Sequence, residues 1–171
     1  MRAVWLVQVQ LAEFSITRLL DAPRSLVFRA LTEHGHLVEW WGPKGFTVRA
    51  CTVDLRPGGL FHYGLQAPDG SMMWGKWVFR EVVPPERLVT AVSFSDEDGG
   101  QTRHPFAPGW PLETLSTTTL TEQDGRTTMT LTATPLDATG AEHEVFIAGL
   151  PSMQQGYSGT LDQLAAHLAK L

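Results

Sequence analysis

The chain has 171 residues, 43% of them hydrophobic, enough for one domain with a substantial core and too few for two comfortable ones. A formal charge of -5 and only 13 scattered Lys and Arg residues give no basic stripe of the kind that neutralises phosphates, so nucleic acid is excluded as an expected partner. The single cysteine, Cys51, excludes an intramolecular disulfide and any multi-cysteine metal site, and fits a small apolar filler on a strand.

Residues 1–12 are expected to form an N-terminal extension or an extra strand, ahead of one domain over 13–171. The early apolar run is short, is broken by Gln8 and Gln10, and lacks a convincing cleavage site, unlike a signal peptide. No segment approaches the roughly 18 apolar residues of a membrane span. The expectation is a soluble, cytoplasmic protein.

A strand is predicted over 13–20. Pro23 suits a first helical position, and Leu26, Val27, Ala30 and Leu31 recur at helical spacing, so a helix follows over 23–33, with a shorter one toward Trp41. Trp40-Trp41-Gly42-Pro43-Lys44-Gly45-Phe46 then sets three large aromatics beside a turn, which marks a core corner or a pocket wall. Strands are predicted over 46–56 and 60–67 around Pro57-Gly58-Gly59, and over 74–83 and 87–95 around Pro84-Pro85. A last hairpin, 114–122 with 126–134, flanks Gln123-Asp124-Gly125.

In that hairpin Met129, Leu131 and Ala133 share one face and Thr128, Thr130, Thr132 and Thr134 the other, the pattern of a sheet wet on one side. Its cover is a terminal helix carrying Met153, Tyr157, Leu161, Leu164 and Leu168 at spacings of three and four. Thr139 and Glu142 have capping-box spacing at its start. Gly149-Leu150-Pro151 is expected to kink or interrupt it. The class is therefore α+β, with an antiparallel sheet curled around one long helix.

The series Asp21-Ala22-Pro23, Trp40-Trp41-Gly42-Pro43, Asp54-Leu55-Arg56-Pro57-Gly58-Gly59 and Pro84-Pro85-Glu86-Arg87-Leu88 resembles the homologues of the activator of the 90-kDa heat-shock chaperone ATPase. Trp74-Gly75-Lys76-Trp77, Arg103-His104-Pro105, Trp110-Pro111-Leu112-Glu113 and the run from Gln155 to Asp162 look like one bacterial branch of that family. The family lies in the START-like (SRPBCC) superfamily, so the resemblance implies a helix-grip fold with a cavity between sheet and terminal helix. It also implies a choice of roles, since that superfold hosts binding, transport and catalysis.

The residues support a cavity independently. Phe61, Tyr63 and Leu65 share a strand face, as do Trp77 and Phe79, and Thr90, Val92 and Phe94 form a further set. The expected ligand-binding residues are Trp41, Phe61, Tyr63, Trp77, Phe79, Phe94, Phe106, Trp110, Met129, Leu131, Met153, Tyr157 and Leu161. Such a lining adapts to a flat or acyl ligand, although the same residues could simply fill the space.

Candidates for chemistry are few. Glu81 shares the parity of Trp77 and Phe79 and is considered as an inward carboxylate, but the favoured reading is that it is solvated or paired near the strand end. Tyr63 and His104 complete the candidates for handling a proton. Asp54 and Arg56 are expected to make a cross-strand ion pair or to anchor a turn. The histidines show no HExxH pattern and are not expected to assemble, so no metal is assigned. No nucleophile elbow, P-loop or dinucleotide fingerprint is present, and no cofactor is assigned. The connection 96–111 is long and carries Phe106 and Trp110 among prolines and glycines, as a lid over the pocket or a loop stapled down by its aromatics would.

The favoured reading is a protein that binds a small hydrophobic or aromatic molecule. A polyketide cyclase or isomerase-like enzyme is one alternative. A module stimulating a chaperone ATPase is the other, less favoured because one domain supplies no second module for spanning a chaperone dimer.

Overall fold

The computed structural model describes residues 12–171, so the expected extension over 1–12, save its last residue, lies outside the described residues. In chain order come β1 (Phe14–Leu20), α1 (Arg24–Thr32), α2 (His34–Trp40), β2 (Thr47–Val53), β3 (Leu60–Gln66) and β4 (Met72–Val83). After them come β5 (Arg87–Ser95), β6 (Gln101–Thr102), β7 (Glu113–Gln123), β8 (Arg126–Leu136) and α3 (Gly140–Leu168). One antiparallel sheet runs β1-β8-β7-β5-β4-β3-β2, with β6 paired to β5 off that path.

Alternation builds the sheet's inner face. Along β8 Met129, Leu131 and Ala133 are buried, while the threonines between them are only partly covered. From β1 Phe14 and Ile16, from β3 Phe61 and from β4 Phe79 join the same core. Phe146, Leu161, Leu164 and Leu168 of α3 close it from the other side. The outcome is the α+β helix-grip fold, a curved antiparallel sheet holding a long C-terminal helix.

The first turn of α3 is fixed by its cap. Thr139 accepts from the Glu142 backbone N–H at 3.2 Å, and the Glu142 carboxylate accepts from the Thr139 N–H at 2.8 Å, which satisfies two donors that a helix start leaves over. From there the helix runs 29 residues and passes through Pro151 without a break. The expected interruption is absent: Pro151 removes one internal hydrogen bond and the rest of the ladder carries the helix through. At the other helix start, Pro23 is the cap residue of α1 rather than its first helical residue, with an extended ψ of 150°.

Glu81 takes the solvated, paired place near the strand end, and the register shows why. The register opposes Phe79 to Thr90 but Glu81 to Val89, so Arg80 sits in a bulge. An extra residue reverses the side-chain parity beyond it. Val82, opposite Leu88, therefore turns inward to the core, and Glu81 turns out to a solvent-exposed ion pair with Arg87 at 3.6 Å.

The Asp54 to Gly59 motif has an architectural explanation. Arg56 donates to Asp54 at 2.8 Å within the turn, so this is a turn anchor and not a cross-strand pair. A side chain at Gly59 would stand 2.0 Å from the Asp54 carbonyl oxygen, which only glycine avoids.

Candidate functional site

A cavity of about 610 Å³ lies between the sheet and α3, within the size range of small-molecule sites. The sheet contributes Tyr63 from β3, Val92 to Phe94 from β5 and Thr114 from β7. The helix contributes Val145, Ala148, Gly149, Ser152, Met153 and Tyr157, and the segment after β6 contributes His104, Ala107 and Trp110. Among the described residues no Asp, Glu, Lys or Arg lines it.

Trp110 is wedged against α3. Its ring lies 5.3 Å from that of Phe146, and a Cβ placed on Gly149 would come within 2.5 Å of its Cζ3. Glycine at 149 is what lets the helix approach the indole so closely. The Trp110 backbone N–H donates to the Ala107 carbonyl at 2.9 Å, and the Trp110 carbonyl accepts from Arg103 at 3.3 Å. Arg103 also pairs with Glu142, the capping-box carboxylate, so one side chain ties this segment to the start of the helix. Hydrogen bonds from Arg103 first, and from the Thr139 N–H next, hold that carboxylate below its usual pKa.

His104 is held by its own turn. Its Nδ1 accepts from the backbone N–H groups of Phe106 at 3.1 Å and Ala107 at 3.2 Å, and its ring lies 4.5 Å from that of Phe94. Burial pushes its pKa below the usual histidine range. With Nδ1 accepting, the neutral ring carries its proton on Nε2, which makes that nitrogen a donor and not a base.

The Tyr63 ring lies across the strand over Gly75, where a side chain would meet its hydroxyl at 2.5 Å. Its pKa is raised by desolvation first and by the neighbouring Tyr157 second, and that of Tyr157 is raised by desolvation. Both phenols therefore stay protonated at neutral pH, as hydrogen-bond donors in an apolar chamber.

Deeper between sheet and helix lies a second void of about 30 Å³, bordered by Trp41, Trp77, Met129, Leu131 and Leu161. Val92 and Tyr157 border both spaces. Trp41 is the hub of the aromatic cluster, with rings of Trp40, Phe61, Tyr63 and Trp77 at 5.0 to 5.7 Å, mostly edge to face.

Of the residues expected to bind ligand, Tyr63, Phe94, Trp110, Met153 and Tyr157 come together in the large cavity, with His104 beside them. Trp41, Trp77, Met129, Leu131 and Leu161 border the small void. Phe61 and Phe79 are each 1% exposed and border neither space. Phe106 is 90% exposed, because the turn gripped by His104 throws its ring outward; of the two aromatics, Trp110 is the one that staples the segment. That connection is also less of a loop than expected, since β6 pairs with the end of β5.

Sequence reasoning missed the Arg103–Glu142 tie and the helix wall. Ala148, Gly149 and Ser152 were a readable signal: small residues one and four positions apart leave room on a helix face. It also separated two histidines that meet. His36 Nδ1 and His167 Nε2 are 2.9 Å apart, joining α2 to the end of α3 away from the cavity. Among the described residues no three His, Cys, Asp or Glu side chains gather as a metal site.

The model of the family described as Activator of Hsp90 ATPase homolog 1-like protein matches residues 21–169. The chain belongs to that family. Solved structures share the fold of this Hsp90-activator-homologue chain across nearly its whole length. A solution structure of a protein from Arthrobacter aurescens is 27% identical with a TM-score of 0.75, covering 93% of this chain and 87% of that one. Crystal structures from Mycobacterium smegmatis and Nitrosomonas europaea are each 26% identical. The first has a TM-score of 0.74 and covers 91% of this chain and 90% of its own. The second has a TM-score of 0.72 and covers 96% and 97%. No curated protein matches the sequence. Among the described residues no helix is long and apolar enough to cross a membrane.

Proposed function

We propose that the protein binds a small hydrophobic or aromatic molecule between its sheet and α3. The observation that carries this reading is the cavity of about 610 Å³ lined by Tyr63, Phe94, Trp110, Met153 and Tyr157 with no charged side chain among the described residues. Aromatic walls supply contact area, methionine adapts its shape, and a few donors orient the guest. We place Trp41, Trp77, Met129, Leu131 and Leu161 at the deep end of the same site.

The neutral probe N-phenyl-1-naphthylamine tests this, together with native mass spectrometry of gently purified protein. Tyr157→Ala is expected to change probe affinity about tenfold, the worth of roughly 1.4 kcal/mol of contact. A folded wild type that binds neither the probe nor extracted lipids and aromatics would sink the reading.

A cyclase or isomerase-like enzyme is the second reading, favoured by His104, Tyr63 and Tyr157 sharing one cavity. As protonated donors they would polarise a carbonyl rather than abstract a proton, and turnover of a polyketide-like ketone lost on His104→Ala would establish it. Stimulation of a cognate chaperone ATPase by low-micromolar protein would establish the third reading, in line with the family's name.

A further inference from the structure

Two adjacent tryptophans end α2 in opposite states. Trp40 donates its indole N–H to the Ala30 carbonyl at 2.9 Å in the core. Trp41 Nε1 is equally shut off from solvent and has no hydrogen-bond partner in the protein. Buried indole N–H groups are ordinarily paired, and leaving one unpaired is costly. Trp41 borders the void of about 30 Å³, space for one or two atoms at most. Between this recess and the large cavity stand Tyr157 and Val92, which border both. The Tyr157 ring rests 5.2 Å from Phe14 and, with Val92, is the side chain the two spaces share.

Resting on the ligand-binding reading, we infer that the two spaces are one site partitioned by Tyr157, and that the ligand is a flat, uncharged molecule with a carbonyl-type oxygen projecting from one edge. The flat body occupies the large cavity. The oxygen passes the Tyr157 ring and accepts the Trp41 Nε1–H. Net charge on the ligand is disfavoured because no lysine, arginine, aspartate or glutamate among the described residues lines either space. A hydrocarbon of the same shape leaves the indole unpaired and gains nothing from the recess.

The test uses 9-fluorenone, fluorene, which has the same ring system without the oxygen, and 9-fluorenone-2-carboxylate, with binding measured by calorimetry. Wild-type protein is expected to prefer fluorenone over fluorene by about tenfold, as a site with a waiting donor does. The carboxylate should bind more weakly than fluorenone. In Trp41→Phe the fluorenone-to-fluorene ratio should fall toward one. Wild-type protein labelled with nitrogen-15 gives a reading independent of that variant's folding, because fluorenone, and not fluorene, should move the Trp41 indole N–H resonance downfield. Equal affinity for fluorenone and fluorene, an unmoved indole resonance with fluorenone bound, or tighter binding of the carboxylate each overturns the inference and leaves the ligand-binding reading standing. Failure of all three compounds and of the naphthylamine probe to bind overturns both.

Discussion

His36 and His167 are 131 residues apart in sequence, yet their ring nitrogens lie 2.9 Å apart at the junction of α2 with the end of α3. At that distance one nitrogen donates and the other accepts, so the contact fits at most one extra proton comfortably. Desolvation first, and the His36 and Lys170 charges next, push the His167 pKa below its ordinary 6.5, with Glu39 opposing them; Glu33 sits 3.7 Å from His36.

A histidine whose folded pKa is depressed takes up its proton more readily in the unfolded chain. Stability should therefore be full above about pH 6.5 and fall as the pH drops below it, by at most about 1.4 kcal/mol per pH unit for each proton bound on unfolding. His104, partly buried, shifts in the same direction and adds to the slope. Urea midpoints at pH 7.5 and 5.5 measure the loss, and His167→Gln should flatten it. An unchanged slope in the variant would take the pair out of the account.

Gly149→Ala sets two effects against each other. Alanine in a helix interior gains about 1 kcal/mol over glycine. The new methyl would press into the Trp110 ring, and overpacking of that kind costs about 1–3 kcal/mol. Net destabilisation of about 1 kcal/mol is expected, with a shift in tryptophan emission as the indole moves. A variant more stable than wild type would show that Trp110 yields without cost.

Trp110→Ala opens the end of the cavity. If the indole latches a guest, release of N-phenyl-1-naphthylamine should quicken several-fold while capture changes little. Hydrogen exchange gives the companion measurement: residues 103–110 should be less protected than the sheet and gain protection when the probe binds. Equal protection in both states would reduce Trp110 to a packing residue.

Thr139→Ala removes half of the capping box and should cost about 1 kcal/mol. Because Glu142 also holds Arg103, the loss should reach the 103–110 segment as faster exchange there. Faster exchange confined to the first turn of α3 would show that Arg103 holds Glu142 unaided.

The fold was legible because its signals are local. Alternation along β8, the capping spacing of Thr139 and Glu142, and the three-four spacing from Met153 to Leu168 each depend on neighbours in sequence. What escaped depends on distant pairing. The bulge at Arg80 is invisible to parity counting; it is what turns Glu81 out to a surface ion pair, an outcome its place near the strand end suggested without the reason. The meeting of His36 with His167 needs the tertiary path of two helices. Gly149 and Pro151 looked like breakers because sequence shows their propensity and not the indole that needs the space. The outward Phe106 follows from two backbone N–H groups choosing His104 as acceptor.

Pro151 has no N–H to offer the Ile147 carbonyl, so α3 contains a joint one hydrogen bond weaker than its neighbours. The two arms on either side are moored unequally. Beyond the joint, Thr160, Leu161, Leu164, His167 and Leu168 are all buried, whereas before it Phe146 is the one fully buried side chain. Val145, Ala148 and Gly149, which face the cavity, ride on the lightly moored arm. The wall of the cavity therefore belongs to the less buried half of the helix, where amide exchange is expected to be faster than beyond the proline.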